Sequence, residues 1–309
     1  MRHYTRIGDG RRYISRGDMN KKVFSHSNQL LEQLARNSTP YQDPLTRINW
    51  DSLHHDHFWL PQQAISLYGL NEYESLPKAQ KRALSQYEFL NFVEACLWLE
   101  SVFVARISTT VRKLRHRQAR HIYRLHELRE EIGHILMFCE LMRRCGLVLP
   151  NTRFRQLRPA RLFAKYAPFE SIMFWMVVLI GEEVQDRMNR FIRKNAEELC
   201  PAVYDIVSTH IIDEGRHIAH ARETLEQLLH YSSRVKTLAL QPMINRIFKK
   251  FIDAFYFPPA RVYELAGLTP GKRWTQAVRR NAHRLQFIDE CVTSTLHVLK
   301  ENKIQLKWR

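Results

Sequence analysis

The sequence is poor in glycine and cysteine, has fewer acidic than basic residues, and has no long apolar run. It has 10 glycines and 5 cysteines among 309 residues. It contains neither a glycine-rich phosphate loop nor a Cys-x-x-Cys pair, which excludes the common nucleotide-binding and paired-thiol motifs. The longest apolar run, residues 172–181, is far too short to cross a bilayer as a helix. No stretch alternates between polar and apolar residues as a half-buried strand would.

The shortage of acidic residues makes the chain strongly basic, with 48 Lys and Arg against 31 Asp and Glu and a formal net charge of +17. Such a surface can attract nucleic acid, an anionic membrane or an acidic protein. No RNA-binding aromatic motif, zinc-finger spacing or basic-zipper pattern accompanies the charge. We therefore expect a solvated cationic surface without a nucleic-acid partner. The odd number of scattered cysteines, with no signal peptide, predicts a cytoplasmic protein.

Leu, Arg, Glu, Gln and Ala are plentiful, and apolar residues recur at helical spacing. This pattern predicts an all-α protein. We expect a flexible basic arm over residues 1–24 and a single helical domain over residues 25–309. The core bundle is predicted to span about residues 78–230, with additional helices at both ends.

The most informative stretch is residues 210–217. Read as helix, His210, Glu214 and His217 lie within about 60° of one another. Apolar residues continue the same face on both sides, so three metal-binding side chains point towards the core. Buried charges and imidazoles are costly unless paired or coordinated, which predicts a metal site. Asp213 and Arg216 are expected either to orient an imidazole or to form an exposed ion pair.

Two further long helices each place a carboxylate in their apolar face. In the first helix this residue is Glu100, and Glu94 is the alternative. In the second it is Glu131, which stands three residues before His134, and Glu130 is the alternative in a shifted register.

The fourth carboxylate comes from the most apolar helix. Glu183 lies about 60° from Ile180 around this helix and Glu182 about 160°, so Glu183 is predicted to point inward. Two helices that give Glu and two that give Glu and His at Glu-x-x-His spacing match the ferritin-like carboxylate bundle. Oxygen and imidazole ligands suit iron or manganese, and four carboxylates balance two divalent cations. The predicted metal ligands are Glu100, Glu131, His134, Glu183, His210, Glu214 and His217.

Residues 60 to about 230 resemble the ferritin-like diiron oxygenases of the p-aminobenzoate N-oxygenase type. The resemblance lies in residues 66–69 (Ser-Leu-Tyr-Gly), 97–100 (Leu-Trp-Leu-Glu), 131–134 (Glu-Ile-Gly-His) and 210–217. His210 occupies the place of the extra histidine that this family adds to the usual ligand set. The resemblance implies that Glu131 with His134 serves mainly one iron and Glu214 with His217 mainly the other. The remaining carboxylates would complete or bridge the site.

The resemblance implies a ferritin-like four-helix bundle with two iron ions, or manganese in their place. It implies O2 as oxidant and a small organic substrate, with N-oxygenation of an aromatic amine as the leading expectation. Because the sequence lacks flavin, nicotinamide and iron–sulfur motifs, the electron donor is expected to be a separate partner. The family also makes a homodimer plausible.

Three other functions stay open at this point. The chain could be a different diiron oxidase or hydroxylase, or it could bind iron or manganese without turnover. It could also be a basic helical module for nucleic acid or membrane surfaces, but that function leaves the buried Glu and His residues unexplained.

Overall fold

The computed structural model describes residues 16–111, 118–150, 166–301 and 304–309. Over these residues the chain is helical, with one isolated β-bridge between Phe58 and Leu199 and no strand. The helices are α1 (Arg16–Ser38), α2 (Asn71–Glu74), α3 (Lys78–Ser108), α4 (Ala119–Arg144), α5 (Ile172–Lys194), α6 (Pro201–His230), α7 (Arg234–Tyr256), α8 (Ala260–Leu265), α9 (Gly271–Val278) and α10 (Ala282–Glu301). The all-α prediction is confirmed. In the part of the chain described, no helix combines the length and apolar composition needed to span a membrane.

Helices α3, α4, α5 and α6 form a four-helix bundle. Helix α3 packs on α4, α5 packs extensively on α6, and the two pairs meet where α3 contacts α5 and α4 contacts α6. The additional helices surround this bundle: α1 lies on α4 and α6, while α7 and α10 cover α5. The architecture is the predicted ferritin-like bundle with added N- and C-terminal helices.

Local sequence signals explain where the bundle helices begin and end. Helix α5 starts after Ser171, whose Oγ accepts a hydrogen bond from the backbone N–H of Phe174 at 3.2 Å. Helix α6 starts at Pro201, which suits the first helical position because its missing N–H would be unpaired there anyway. Helix α4 ends just before Gly146, which adopts a φ of +61° that favours glycine.

The N-terminal helix begins earlier than the sequence suggested. Residues 16–24 were assigned to the flexible arm, but they are the first turns of α1, while residues 1–15 lie outside the described residues. The later part of α1 is anchored by Leu31 and Leu34, which pack against Tyr123 of α4. Once a helix is nucleated, each further residue adds a backbone hydrogen bond, so an anchored helix extends readily.

Helix α5 is buried on all its faces between α6, α3, α7 and α10. Its Gly181 marks the tightest approach. A Cβ at this position would lie 2.5 Å from Cδ2 of Leu99 and 3.2 Å from Cε1 of Phe251. A larger residue here would force the side chains of Leu99 and Phe251 to shift.

Replacing Gly181 with alanine should destabilise the protein by about 1–3 kcal/mol, because the new methyl group overpacks the core. The matched control is Gly215→Ala on α6, where a Cβ meets nothing within 4 Å. The Gly215→Ala control should raise the free energy of unfolding by up to about 1 kcal/mol, since alanine favours the helix more than glycine does. Urea unfolding measures both changes, and equal stability of the two variants would contradict this packing.

Candidate metal centre

Seven ionisable side chains of the four bundle helices meet in the core, each at most 1 % exposed. They are Glu100 of α3, Glu131 and His134 of α4, Glu182 of α5, and His210, Glu214 and His217 of α6. Six of them belong to the predicted ligand set. Glu182 is the seventh, in the place where Glu183 was expected.

The carboxylates and imidazoles approach one another closely. The Nε2 atom of His210 lies 3.0 Å from Oε1 of Glu100 and 2.9 Å from Oε1 of Glu214. The Nδ1 atom of His217 lies 3.1 Å from Oε1 of Glu131 and 3.7 Å from Oε1 of Glu214. Glu214 therefore stands between two imidazoles at the middle of the cluster.

The ligand atoms form two adjacent groups. One group joins Glu100, His134, His210 and Glu214, and the other joins Glu131, His134 and His217, with the atoms of each group within 4.8 Å of one another. The resemblance paired Glu131 with His134 and Glu214 with His217. In the structure, His134 takes part in both groups, and Nδ1 of His217 lies nearer to Glu131 than to Glu214.

Most of the inward-facing atoms make no well-aligned hydrogen bond to a described residue, although some of them lie close to an oppositely charged group. They are Oε2 of Glu100, both carboxylate oxygens of Glu131 and Glu214, and Nδ1 of His134 and His217. A buried polar atom without a partner is costly, so a whole set facing one space requires an explanation. Divalent cations satisfy all of these lone pairs at once, and the oxygen and nitrogen donors fit iron or manganese.

Carboxylates contact the outer nitrogens of two imidazoles, one on α4 and one on α6. Nε2 of His134 lies 3.1 Å from Oδ2 of Asp213, and Nε2 of His217 lies 3.0 Å from Oε2 of Glu130. Arg216 joins these two carboxylates, since its Nη2 donates to Oε1 of Glu130 at 2.8 Å and to Oδ1 of Asp213 at 2.5 Å. One guanidinium thus fixes the partners of two imidazoles, and each ring presents Nδ1 to the cluster.

The third imidazole has a neutral partner. Nδ1 of His210 lies 2.7 Å from the side-chain amide of Asn189 on α5. An amide can turn its oxygen towards a ring N–H, so Asn189 can hold His210 with Nε2 facing the cluster. Sequence reasoning missed Asn189, although its place one turn beyond Gln185 on a buried helix face was a signal for an inward polar group.

The structure places the alternative carboxylates of α3 and α4 in different surroundings. Glu100 is fully buried against His210, whereas Glu94 is partly exposed. Glu131 faces the inner nitrogen of His217, whereas Glu130 faces its outer nitrogen. The preferred positions Glu100 and Glu131 therefore lie in the cluster, and Glu130 supports an imidazole from outside.

The structure places the two glutamates of α5 differently from the expectation, and the ligand on this helix stays a prediction. Glu183 turns away from the cluster and pairs with Arg222 of α6. Glu182 lies beside Glu214 and Glu131, and burial together with these two negative charges raises the pKa of Glu182 well above its usual value. The difference has a physical cause: because α5 is buried on every side, alignment with an apolar residue does not identify the face that points at the bundle axis.

Burial and mutual charge shift the pKa values within the cluster. Burial raises the pKa of Glu100 and that of Glu131 to about 7. Burial alone would lower the pKa of His210, but the carboxylates of Glu214 and Glu100 raise it to about 10. Burial likewise opposes ionisation of Glu214, yet His210 and His217 hold its pKa well below the usual value. Protons on these groups therefore reduce the net negative charge of the cluster, as bound cations would.

The sequence model of the family described as p-aminobenzoate N-oxygenase AurF matches residues 20–302 of this chain. The chain belongs to this family. With the carboxylate–histidine cluster, family membership makes the protein a non-haem diiron oxidoreductase.

Curated relatives carry no assigned activity. Two of them, from Mycobacterium bovis and Mycobacterium tuberculosis, are each described as an uncharacterized protein. Each is 24 % identical over 234 residues, which covers 74 % of this chain and 68 % of the relative.

Similar solved structures are variants of an R2-like ligand-binding oxidase. One with an Fe/Fe cofactor has a TM-score of 0.49 at 16 % identity, covering 86 % of this chain and 91 % of that one. One with a Mn/Fe cofactor has a TM-score of 0.48 at 16 % identity, covering 92 % and 94 %.

Metal uptake by this AurF-family protein should strengthen as pH rises from 6 to 8. Below their pKa of about 7, Glu100 and Glu131 carry protons that a metal ion must displace, and His210 carries one over the whole range. Calorimetric titration of the chelator-treated protein with Mn²⁺, in buffers of different ionisation enthalpy, measures both affinity and released protons. Equal affinity at both pH values without proton release would contradict this assignment.

Arg216→Gln should weaken metal binding by about 10- to 100-fold, because both outer carboxylates lose the group that positions them. Arg143→Gln is the control, since Arg143 lies at the surface of α4 and pairs with Glu140. Mn²⁺ dissociation constants of the two variants provide the measurement. If Arg216→Gln binds as tightly as the control, Arg216 does not position the imidazoles.

Proposed function

We propose that the protein is a diiron N-oxygenase that oxidises an aromatic amine. In this proposal two iron ions are held by seven side chains, with Glu182 replacing Glu183 in the set expected from the sequence. The proposed ligands are Glu100, Glu131, His134, Glu182, His210, Glu214 and His217.

The observation that carries the proposal is the third imidazole. His210 lies between Glu100 and Glu214, in the group of ligand atoms that also contains His134. The usual ferritin-like bundle has four carboxylates and two histidines. A seventh ligand at this position, in a chain of the p-aminobenzoate N-oxygenase family, supports an aromatic amine as the substrate class.

The reaction has a fixed balance. One aromatic amine, one O2, two electrons and two protons give one hydroxylamine and one water. When bound, the metal pair supplies O2 activation and passes on electrons from an external donor, which no protein side chain can do unaided. The external donor, a homodimer and a cytoplasmic location remain predictions.

The protein's own residues neutralise the centre, position its ligands and exclude water. Four carboxylates match the charge of two divalent cations, so the loaded cluster is close to neutral in a dry core. The ring of Phe138 lies edge-on to His210 with centroids 5.2 Å apart and is 2 % exposed. An apolar wall of this kind keeps bulk water from the ligands.

The function is tested by loading the protein with Fe²⁺ and supplying O2, a chemical reductant and a panel of aromatic amines. We expect two irons per chain and N-oxygenated products by mass spectrometry. Oxygen consumption with products that are not N-oxygenated would replace the proposal with another oxidase or hydroxylase. Two bound metals without oxygen consumption would indicate a binding protein.

The ligand on α5 is tested by two isosteric variants of adjacent residues. The Glu182→Gln variant should bind metal at least about 100-fold more weakly. This loss exceeds the loss expected when a residue that only hydrogen-bonds to a ligand is removed. Glu183→Gln should keep wild-type affinity, because Oε1 of Glu183 pairs with Arg222 of α6. The opposite ranking would restore Glu183 as the ligand.

A further inference from the structure

Helices α4 and α6 are joined in the core by three carboxylate–imidazole pairs in a row. Two of these pairs, His134 with Asp213 and His217 with Glu130, support proposed metal ligands. The third pair is Glu127 with His220, whose Nδ1 lies 2.8 Å and 3.0 Å from the two carboxylate oxygens. Neither of its members lies in the metal cluster, so the support of a ligand does not explain this pair.

The third pair lies next to the centre along both helices. Glu127 precedes Glu131 by one turn of α4, and His220 follows His217 by one turn of α6, which places the pair about 5 Å further along the bundle. The two side chains are 1 % and 0 % exposed. A buried polar pair stabilises a fold no better than apolar residues of the same volume, so packing does not account for it.

The far side of His220 is polar but has no protein partner. Nε2 of His220, Oη of Tyr123, Oγ1 of Thr224 and Nε1 of Trp175 all lack a hydrogen bond to any described residue. The rings of Tyr123 and Trp175 lie edge-on to His220, with centroids 5.0 Å and 4.9 Å away. These side chains are at most 2 % exposed. Buried polar atoms grouped in this way are typical sites of internal water.

A connection to the surface begins beside this group. Arg124 stacks its guanidinium on Trp175 at 5.7 Å and donates to Glu170 at 2.9 Å. Arg124 is 3 % exposed, whereas the Glu170 side chain is 58 % exposed. The polar atoms around His220 therefore lie between the metal centre and a solvent-exposed carboxylate.

We propose that Glu127 and His220 form a proton relay that delivers protons from this outer polar group to the metal centre. The inference rests on O2 reduction at the proposed centre, which consumes protons at ligands that are at most 1 % exposed. It does not depend on which organic substrate is oxidised.

The transfer balances at each atom. The Glu127 carboxyl releases its proton towards the centre, and the resulting carboxylate takes the proton on Nδ1 of His220 while Nε2 binds a proton from the outer polar group. The ring then carries its proton on Nε2, and a half-turn about its Cβ–Cγ bond restores the starting arrangement. One proton taken up outside equals one delivered inside, and two such transfers supply one turnover.

The electrostatics of the pair suit this role. Burial raises the pKa of Glu127 to about 8, so the carboxyl holds a proton at neutral pH. Burial, with the charges of Arg124 and Arg120, holds the pKa of His220 well below its usual value, which keeps the ring neutral. The other charged groups that act on the pair are His217, Glu130, Glu214 and Glu170.

The first test needs no metal. The infrared spectrum of the chelator-treated protein at neutral pH should show a protonated carboxyl band that disappears in Glu127→Gln and shifts in His220→Gln. Persistence of the complete band in Glu127→Gln would mean that Glu127 is not the proton carrier.

The second test uses the protein with two bound irons, reduced and mixed with O2 without substrate. His220→Gln keeps an amide donor beside Glu127 but cannot exchange protons through a ring, and should consume O2 roughly 100-fold more slowly. Its rate should show a larger solvent deuterium isotope effect, which a purely structural role would not produce. The control is His297→Gln on α10, which removes an exposed pair with Glu301.

A His220→Gln variant that binds two irons and matches the wild-type rate and isotope effect would overturn the relay. If this variant fails to bind metal, the Thr224→Val variant provides the test instead, because the Thr224 hydroxyl makes no hydrogen bond to a described residue. Slower O2 consumption by Thr224→Val supports the relay, and an unchanged rate overturns it. A wild-type protein that consumes O2 but oxidises no amine would contradict the proposed substrate and leave the relay standing.

Discussion

The constraint on which this structure depends is the neutralisation of four carboxylates and three imidazoles in the core of one helical bundle. Such groups cannot remain charged and unpaired in an apolar interior. Protons and mutual ion pairs balance part of this charge: the pKa of Glu100 is raised to about 7 by burial, and that of His210 is raised to about 10 by the neighbouring carboxylates. The free-energy cost of burying these groups falls once two divalent ions bind their inner lone pairs. The core is therefore built around cations at least as much as around apolar contacts.

Contacts between α4 and α6 fix the orientation of the imidazoles in this core. Its imidazoles would be free to rotate if only their inner nitrogens were bound. Asp213 and Glu130 fix the outer nitrogens, and the two contacts from Arg216 fix those carboxylates in turn. The Glu127–His220 pair continues the same pattern by one helical turn and directs it towards the surface. One repeating contact between two helices thus combines ligand positioning with a path for protons.

Helix α5 shows why helical periodicity alone does not identify the face that points at the bundle axis. On a helix with one apolar face, alignment with apolar neighbours identifies the inward direction. Helix α5 has partners on all sides and includes Gly181 only to let α3 and α7 approach. Two adjacent glutamates on such a helix are both buried, so burial does not separate a metal-facing carboxylate from one that pairs with Arg222. The helices that neighbour α5 decide between them.

The sequence by itself determined the helical class and six of the seven clustered residues. Spacing of three, four and seven residues on α4 and α6 places side chains on one face whatever the rest of the chain does. Three features were decided only by the tertiary structure: the choice of Glu182, the role of Asn189 behind His210, and the joining of Asp213 and Glu130 by Arg216. Each depends on the rotation of one helix against another, which packing over the whole bundle sets and which no local spacing encodes.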